Sequence, residues 1–192
     1  MDILTHCKQS LKQKGIIVLD AHKTWWDILL TARYIHHIYY PIQITMPIAG
    51  YIQFIPLAKQ FIEWIAWKYE INFIPVYRRD EYEPVNYIMR ILCWFYPKKL
   101  NIQKRELANQ EYILKTLKVI EKPNNMVIVA PYGSPLWFGG KVKYGVKKLI
   151  ESSAQKVLSQ TVWSKKKLKF VTHLSKFRSD LPGEYEKLTR IG

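Results

Sequence analysis

Two side chains stand in a spacing and a context suited to proton transfer: His22 and Asp27, in the segment His-Lys-Thr-Trp-Trp-Asp. An imidazole is a competent base near neutral pH. A carboxylate beside it fixes the ring tautomer and stabilises the imidazolium that forms as the ring takes a hydroxyl proton. No protein nucleophile is then required. On one continuous helix, residues five apart lie about 140° apart around the axis and do not meet. A turn ending at a helix cap on Thr24 instead folds His22 back toward Asp27. With five His in the chain and as many Asp, such a spacing arises by accident about one time in eight. The plainer alternative is that Asp27 only caps a helix and His22 is a loop histidine. The surrounding elements decide how much weight the pair carries.

Those elements read as alternating strands and helices. Gly15 to Asp20 is a short, apolar, β-branched run of the kind that forms a strand buried on both faces, and His22 follows it directly. Thr24 to about Ile38 is predicted to be a helix, with Thr24-Trp-Trp-Asp27 as its capping start. Leu57 to Tyr69 is apolar almost all round, and its polar positions Lys59, Glu63 and Glu70 share one narrow stripe, so most of this helix must meet protein or lipid. Asn72 to Tyr77 reads as a second strand with Arg78, Arg79 and Asp80 at its exit, and Val85 to Phe95 as another helix. Gln103 to Ile120 has a helical pattern with Leu107, Leu114 and Leu117 inward and a Glu111 to Lys115 pair outward. Met126 to Ala130 is a third strand that runs into Pro131-Tyr-Gly-Ser-Pro135 and Gly139-Gly140, residues that let backbone approach a ligand. The next helix is expected to carry Val146, Leu149, Ile150, Val157 and Leu158 on one face, and Leu168 to Leu174 is a further strand. The pattern predicts an α/β fold: one domain over residues 1–192, with a central, largely parallel sheet flanked by helices.

Composition narrows the partners. The chain is 48% hydrophobic and 14% aromatic, which excludes a disordered chain, and its net charge of +15 implies anionic partners. Phospholipid headgroups, phosphorylated substrates and nucleic acid all qualify. No recognisable nucleic-acid module is present and the apolar runs are longer than one needs, which favours a lipid surface over nucleic acid. From Tyr34 to Ala58 no Asp, Glu, Lys or Arg occurs, about the length a bilayer span requires. Pro41, Pro47, Pro56 and Gly50 break it, so it reads as an interfacial or core segment. Cys7 and Cys93 have no metal or redox spacing, and the N-terminus lacks the layout of a signal peptide. An intracellular protein, peripheral on the cytoplasmic face of a membrane, is the expectation. Trp64 and Trp67 read as core or interface anchors, and Lys165 to Lys167 as a solvated turn with headgroup attraction as a secondary role.

Four blocks in order, His22 to Asp27, Ile74-Pro-Val-Tyr-Arg78, Ala130-Pro-Tyr-Gly-Ser134 and Gly140-Lys-Val-Lys-Tyr-Gly145, resemble the ordered motifs of the glycerolipid acyltransferase family, which includes the lysophosphatidate acyltransferases. The resemblance covers about residues 15 to 150. It implies that His22 is the base, Asp27 its orienting partner, and Arg78 a ligand for the acceptor's phosphate, a role suited to a forked guanidinium. It also implies substrate binding by the loop of Gly133 and Ser134. The third block departs from the family's Pro-Glu-Gly-Thr-Arg, lacking its acidic residue and its arginine, and Lys141 and Lys143 are the residues that can restore positive charge. The implied reaction moves a fatty acyl group from a thioester of coenzyme A or acyl carrier protein to the hydroxyl of a lysophospholipid or related acceptor, with no metal and no other cofactor. A non-catalytic lipid-binding member of the same fold is the first alternative, and a basic nucleic-acid-binding protein the second.

Overall fold

The computed structural model describes residues 3–20, 26–77, 102–130, 144–152, 156–167 and 169–176. Its centre is β1 (Ile16–Asp20), whose five residues are all buried, as a strand covered on both faces requires. Around it, six strands form one sheet in the order β3-β2-β4-β1-β5-β6, where β2 is Gln43–Ala49, β3 Ile71–Val76, β4 Asn125–Val129, β5 Lys156–Ser164 and β6 Lys169–Lys176. Every neighbouring pair is parallel except β5 with β6, which form an antiparallel hairpin.

The two faces of β1 alternate as the pleat demands. Ile16 and Val18 join one core with α1 (Ile3–Leu11), α2 (Asp27–Tyr39) and α3 (Pro56–Tyr69). Ile17 and Leu19 join the other with α4 (Ile102–Ile120) and α5 (Tyr144–Ser152). The chain leaves β1 through α2 on one face toward β2, and leaves β4 through α5 on the opposite face toward β5. Because β1 and β4 are neighbours, their carboxyl ends flank the switch point of a doubly wound sheet, where ligand crevices form. At the amino edge, the Gly15 amide donates to the Ile120 carbonyl at 2.8 Å. A Cβ on Gly15 would lie 2.8 Å from the Ile120 Cα, so this approach of β1 to the end of α4 admits no side chain.

The α/β class and the parallel sheet agree with the sequence pattern, and several details correct it. Helix α1, for which the sequence pattern gave no element, precedes β1 and buries Cys7, Ser10 and Leu11. The uncharged stretch from Tyr34 to Ala58 is core in part, while Tyr40 and Leu57 are exposed. It contains β2 and buries Tyr39, Ile42, Ile44 and Met46, because β2 sits between β3 and β4. On α4, Leu107 and Leu114 point outward, whereas Tyr112, Thr116 and Ile120 are buried and Leu117 packs against them. The arc i, i+4, i+8 through Tyr112 meets the sheet, so contact with the strands and not the leucine positions sets the inward face. The Glu111–Lys115 pair is outward as expected, at 2.8 Å. Val157 and Leu158 belong to β5, not to a helix: α5 ends at Ser152, and the β-branched run that follows pairs with β1. The helix expected over Val85 to Phe95 lies outside the described residues.

Candidate functional site

The first and third blocks that resemble family motifs begin where β1 and β4 end, and the second runs out of β3. His22 follows Asp20, the last residue of β1. Arg78 follows Val76 and Tyr77 at the end of β3, and Pro131 to Pro135 follow Val129 and Ala130 at the end of β4. These strands run the same way in one sheet, so the chain enters all three segments from its carboxyl edge. The exits of β1 and β3 are three strand positions apart, roughly 14 Å at the usual spacing. His22, Arg78, Gly133, Ser134, Lys141 and Lys143 themselves lie outside the described residues, as does Thr24; α2 begins at Asp27, not at the expected Thr24 start, with Trp26 in the N-cap position.

Asp27 is the described member of the proposed pair. It is the first residue of α2, only 2% exposed, with Trp26 preceding it in a helical conformation and providing no side-chain cap. A carboxylate at this position meets the positive end of the helix dipole. The orientation of α2 explains its burial: Asp27, Thr31 and Ile35 are spaced by four and all three are buried toward the sheet.

One turn along α2 lies a group that the sequence reading missed. Asp20 is 1% exposed, and its Oδ2 accepts hydrogen bonds from Thr31 Oγ1 at 2.5 Å and from Ser159 Oγ at 2.6 Å. Thr31 and Ser159 hydroxyls are 3.0 Å apart, and the chain of hydroxyls continues through Thr161 to Thr172 at 2.8 Å. The pleat accounts for it. Asp20 shares the α2 face with Ile16 and Val18, and it stands in register with Ser159 on β5. A buried carboxylate is tolerated only when hydrogen-bonded, and here the donors come from the elements on either side of it. The available signal was an Asp ending a wholly apolar run.

No family pattern matches this chain, and no curated protein matches it. The site therefore rests on its own geometry and on the resemblance of its motifs.

A second positioning contact lies at the exit of β3. The Tyr77 amide donates to Asn109 Oδ1 at 2.9 Å, and Asn109 Nδ2 donates to the Tyr77 carbonyl at 2.7 Å. This side chain of α4 thus grips the backbone on both sides of Tyr77, one residue before Arg78. Among the described residues, no group of three or more His, Cys, Asp or Glu gathers to hold a metal ion. The concavity lined by Gln43, Ala66, Glu70, Ile71 and Asn72 opens at the amino ends of β2 and β3, the opposite edge from these contacts.

Proposed function

We propose that this protein is an acyltransferase working at a membrane surface, moving a fatty acyl group from an acyl thioester to the hydroxyl of a lysophospholipid or related acceptor. The observation that carries the reading is topological: three segments resembling family motifs leave the carboxyl ends of β1, β3 and β4, where doubly wound sheets bind ligands. The burial of Asp27 at the head of α2 supports a carboxylate that acts on a neighbouring group rather than on solvent.

In this mechanism His22 removes the acceptor hydroxyl proton while Asp27 orients the imidazole and balances its positive charge. The acceptor oxygen attacks the thioester carbonyl, the C–S bond breaks as the tetrahedral oxyanion collapses, and the His22 proton passes to the departing thiolate. Products are an ester and a free thiol. Arg78 holds the acceptor's phosphate, with Lys141 and Lys143 adding positive charge and the loop of Gly133 and Ser134 approaching substrate through its backbone.

Among the described residues no helix is long and apolar enough to cross a membrane. Peripheral attachment on the cytoplasmic face is supported by the charge of +15 and by α3. Around that helix Ile65 and its neighbours pack inward, Lys59 and Glu63 form a charged stripe, and a separate arc exposes Leu57, Phe61, Trp64 and Trp67.

The direct test is incubation of purified protein with mixed acyl thioesters and a panel of lysolipids, with products read by mass spectrometry. A new ester dependent on His22 is expected. Binding of lipid with no ester from any combination would leave only the non-catalytic alternative standing.

A further inference from the structure

The β5–β6 hairpin carries a feature that the reaction above does not use. From Lys156 to Lys176 the sequence contains six lysines and no acidic residue. Lys165, Lys166 and Lys167 make the exposed turn, and Lys169 begins the return strand. Ser164 Oγ accepts from the Lys167 amide at 3.2 Å, which fixes the turn. Immediately beside it, Trp163 and Phe170 are register partners, their rings packed edge to face with centroids 5.0 Å apart, yet they remain 52% and 48% exposed.

The tip's place in the fold matters more than its composition. β5 runs parallel to β1, and Asp20 is level with Ser159, so β5 continues five residues past the end of β1 to Ser164. At strand rise that is about 16 Å beyond the carboxyl edge of the central strand. A basic, aromatic tip therefore projects from the edge at which the proposed catalytic segments begin.

Resting on the membrane-surface reading but not on the acyl-transfer chemistry, we propose that this hairpin tip docks on an anionic phospholipid bilayer and turns the carboxyl edge of the sheet toward it. Trp and Phe beside lysines suit an interface in which rings sit at headgroup depth and ammonium groups meet phosphate. A convex tip suits a surface into which it can press, whereas single-stranded nucleic acid is held by grooves that track its backbone. Each lysine brought to an anionic leaflet raises binding by about fivefold, and the local absence of carboxylates leaves that attraction uncancelled.

The test uses the full chain and vesicles of phosphatidylcholine with and without phosphatidylglycerol. One variant combines Lys165→Gln, Lys166→Gln, Lys167→Gln and Lys169→Gln. A control of equal charge loss combines Lys8→Gln, Lys12→Gln, Lys14→Gln and Lys118→Gln at exposed positions elsewhere. The tip variant is expected to lose about 600-fold in affinity for the anionic vesicles, and the control about tenfold or less. Equal losses in the two variants, or none in the tip variant, overturn the proposal. So does a tip variant that loses polynucleotide binding while keeping vesicle binding, which would assign the tip to nucleic acid. Acyl transfer is measured separately in neutral-detergent micelles. Tip-dependent docking with no transfer by the wild type sinks the enzymatic reading alone, and transfer with tip-independent docking sinks this inference alone.

Discussion

The Thr31 hydroxyl donates to Asp20 Oδ2 at 2.5 Å, tying the last residue of β1 to the second turn of the helix that begins with Asp27. The two elements on either side of the segment containing His22 are thus joined through a buried carboxylate, with Ser159 of β5 as a second donor. This fixes the end of the strand and the start of the helix relative to each other, whatever reaction occurs beyond them.

Stability should be sensitive to that junction. Thr31→Val removes one donor to a buried carboxyl group and is expected to lower unfolding free energy by about 1–3 kcal/mol. Asp20→Ala strands two buried hydroxyls and should cost about 2–4 kcal/mol. Urea denaturation followed by circular dichroism reads both. Two variants each within about 0.5 kcal/mol of wild type would mean that the network contributes nothing net.

His22→Ala is expected to lower acyl-transfer turnover by about 10²–10⁴-fold without changing the thermal midpoint, because a general-base step contributes that much. Asp27→Asn should also slow transfer, by disturbing the orientation and charge of the imidazole. Wild-type turnover in His22→Ala with an identified acceptor would show that His22 is not the base.

Arg78→Ala should raise KM for a phosphate-bearing acceptor more than it lowers kcat, since a phosphate clamp supplies binding shared by ground and transition states. Asn109→Ala releases the Tyr77 backbone and should shift KM in the same direction by a smaller factor. An acceptor without phosphate provides the contrast. Unchanged KM in the double replacement of Arg78 and Arg79 would mean that phosphate is bound elsewhere.

The contrast between β1 and α4 marks what sequence makes legible. Ile16 to Leu19 is apolar without interruption, so burial on both faces follows from composition alone, and Met126 to Val129 of β4 was readable in the same way, whereas β3 is a half-buried edge strand. On α4, the inward arc includes Tyr112 and Thr116 while Leu107 and Leu114 are exposed, so side-chain hydropathy pointed to the wrong face. β2 was hidden because Pro47 lies inside it, and prolines had marked the whole stretch as broken. The motif spacing brought out Asp27. The network around Asp20 was out of reach, because it depends on a register between strands 139 residues apart.

Alkaline pH should weaken the fold through Tyr112. Burial pushes its phenol above the ordinary value, with the Thr116 hydroxyl acting in the opposite direction. Below about pH 10 the phenol is neutral in both states and the stability is fully present; above it, the unfolded chain ionises while the buried phenol does not, and stability falls. The loss approaches about 1.4 kcal/mol per pH unit until the folded group also titrates. Tyr112→Phe should lose less stability than wild type between about pH 8 and pH 11, measured by urea midpoints. Parallel pH profiles for the two proteins refute this assignment.

Membrane attachment should have two separable components. The charge of +15 attracts an anionic leaflet, and salt screens that attraction. The α3 arc is different in kind: Leu57 is 80% and Trp67 79% exposed, with Phe61 and Trp64 beside them, and burial of apolar area in a bilayer is not screened. Lys68 lies over the Trp64 ring at 4.7 Å, placing an ammonium group where its stem can run along the apolar face toward headgroups. The protein is therefore expected to sediment with anionic liposomes and to be partly, not wholly, released by moderate salt. Replacing Trp64 and Trp67 together by Ser should remove the salt-resistant fraction while leaving low-salt binding largely in place. Complete release of the wild type by salt would mean a purely electrostatic contact and favour a nucleic-acid partner. Retention through both salt and alkaline carbonate would instead require a segment embedded in the bilayer, against the peripheral attachment proposed here.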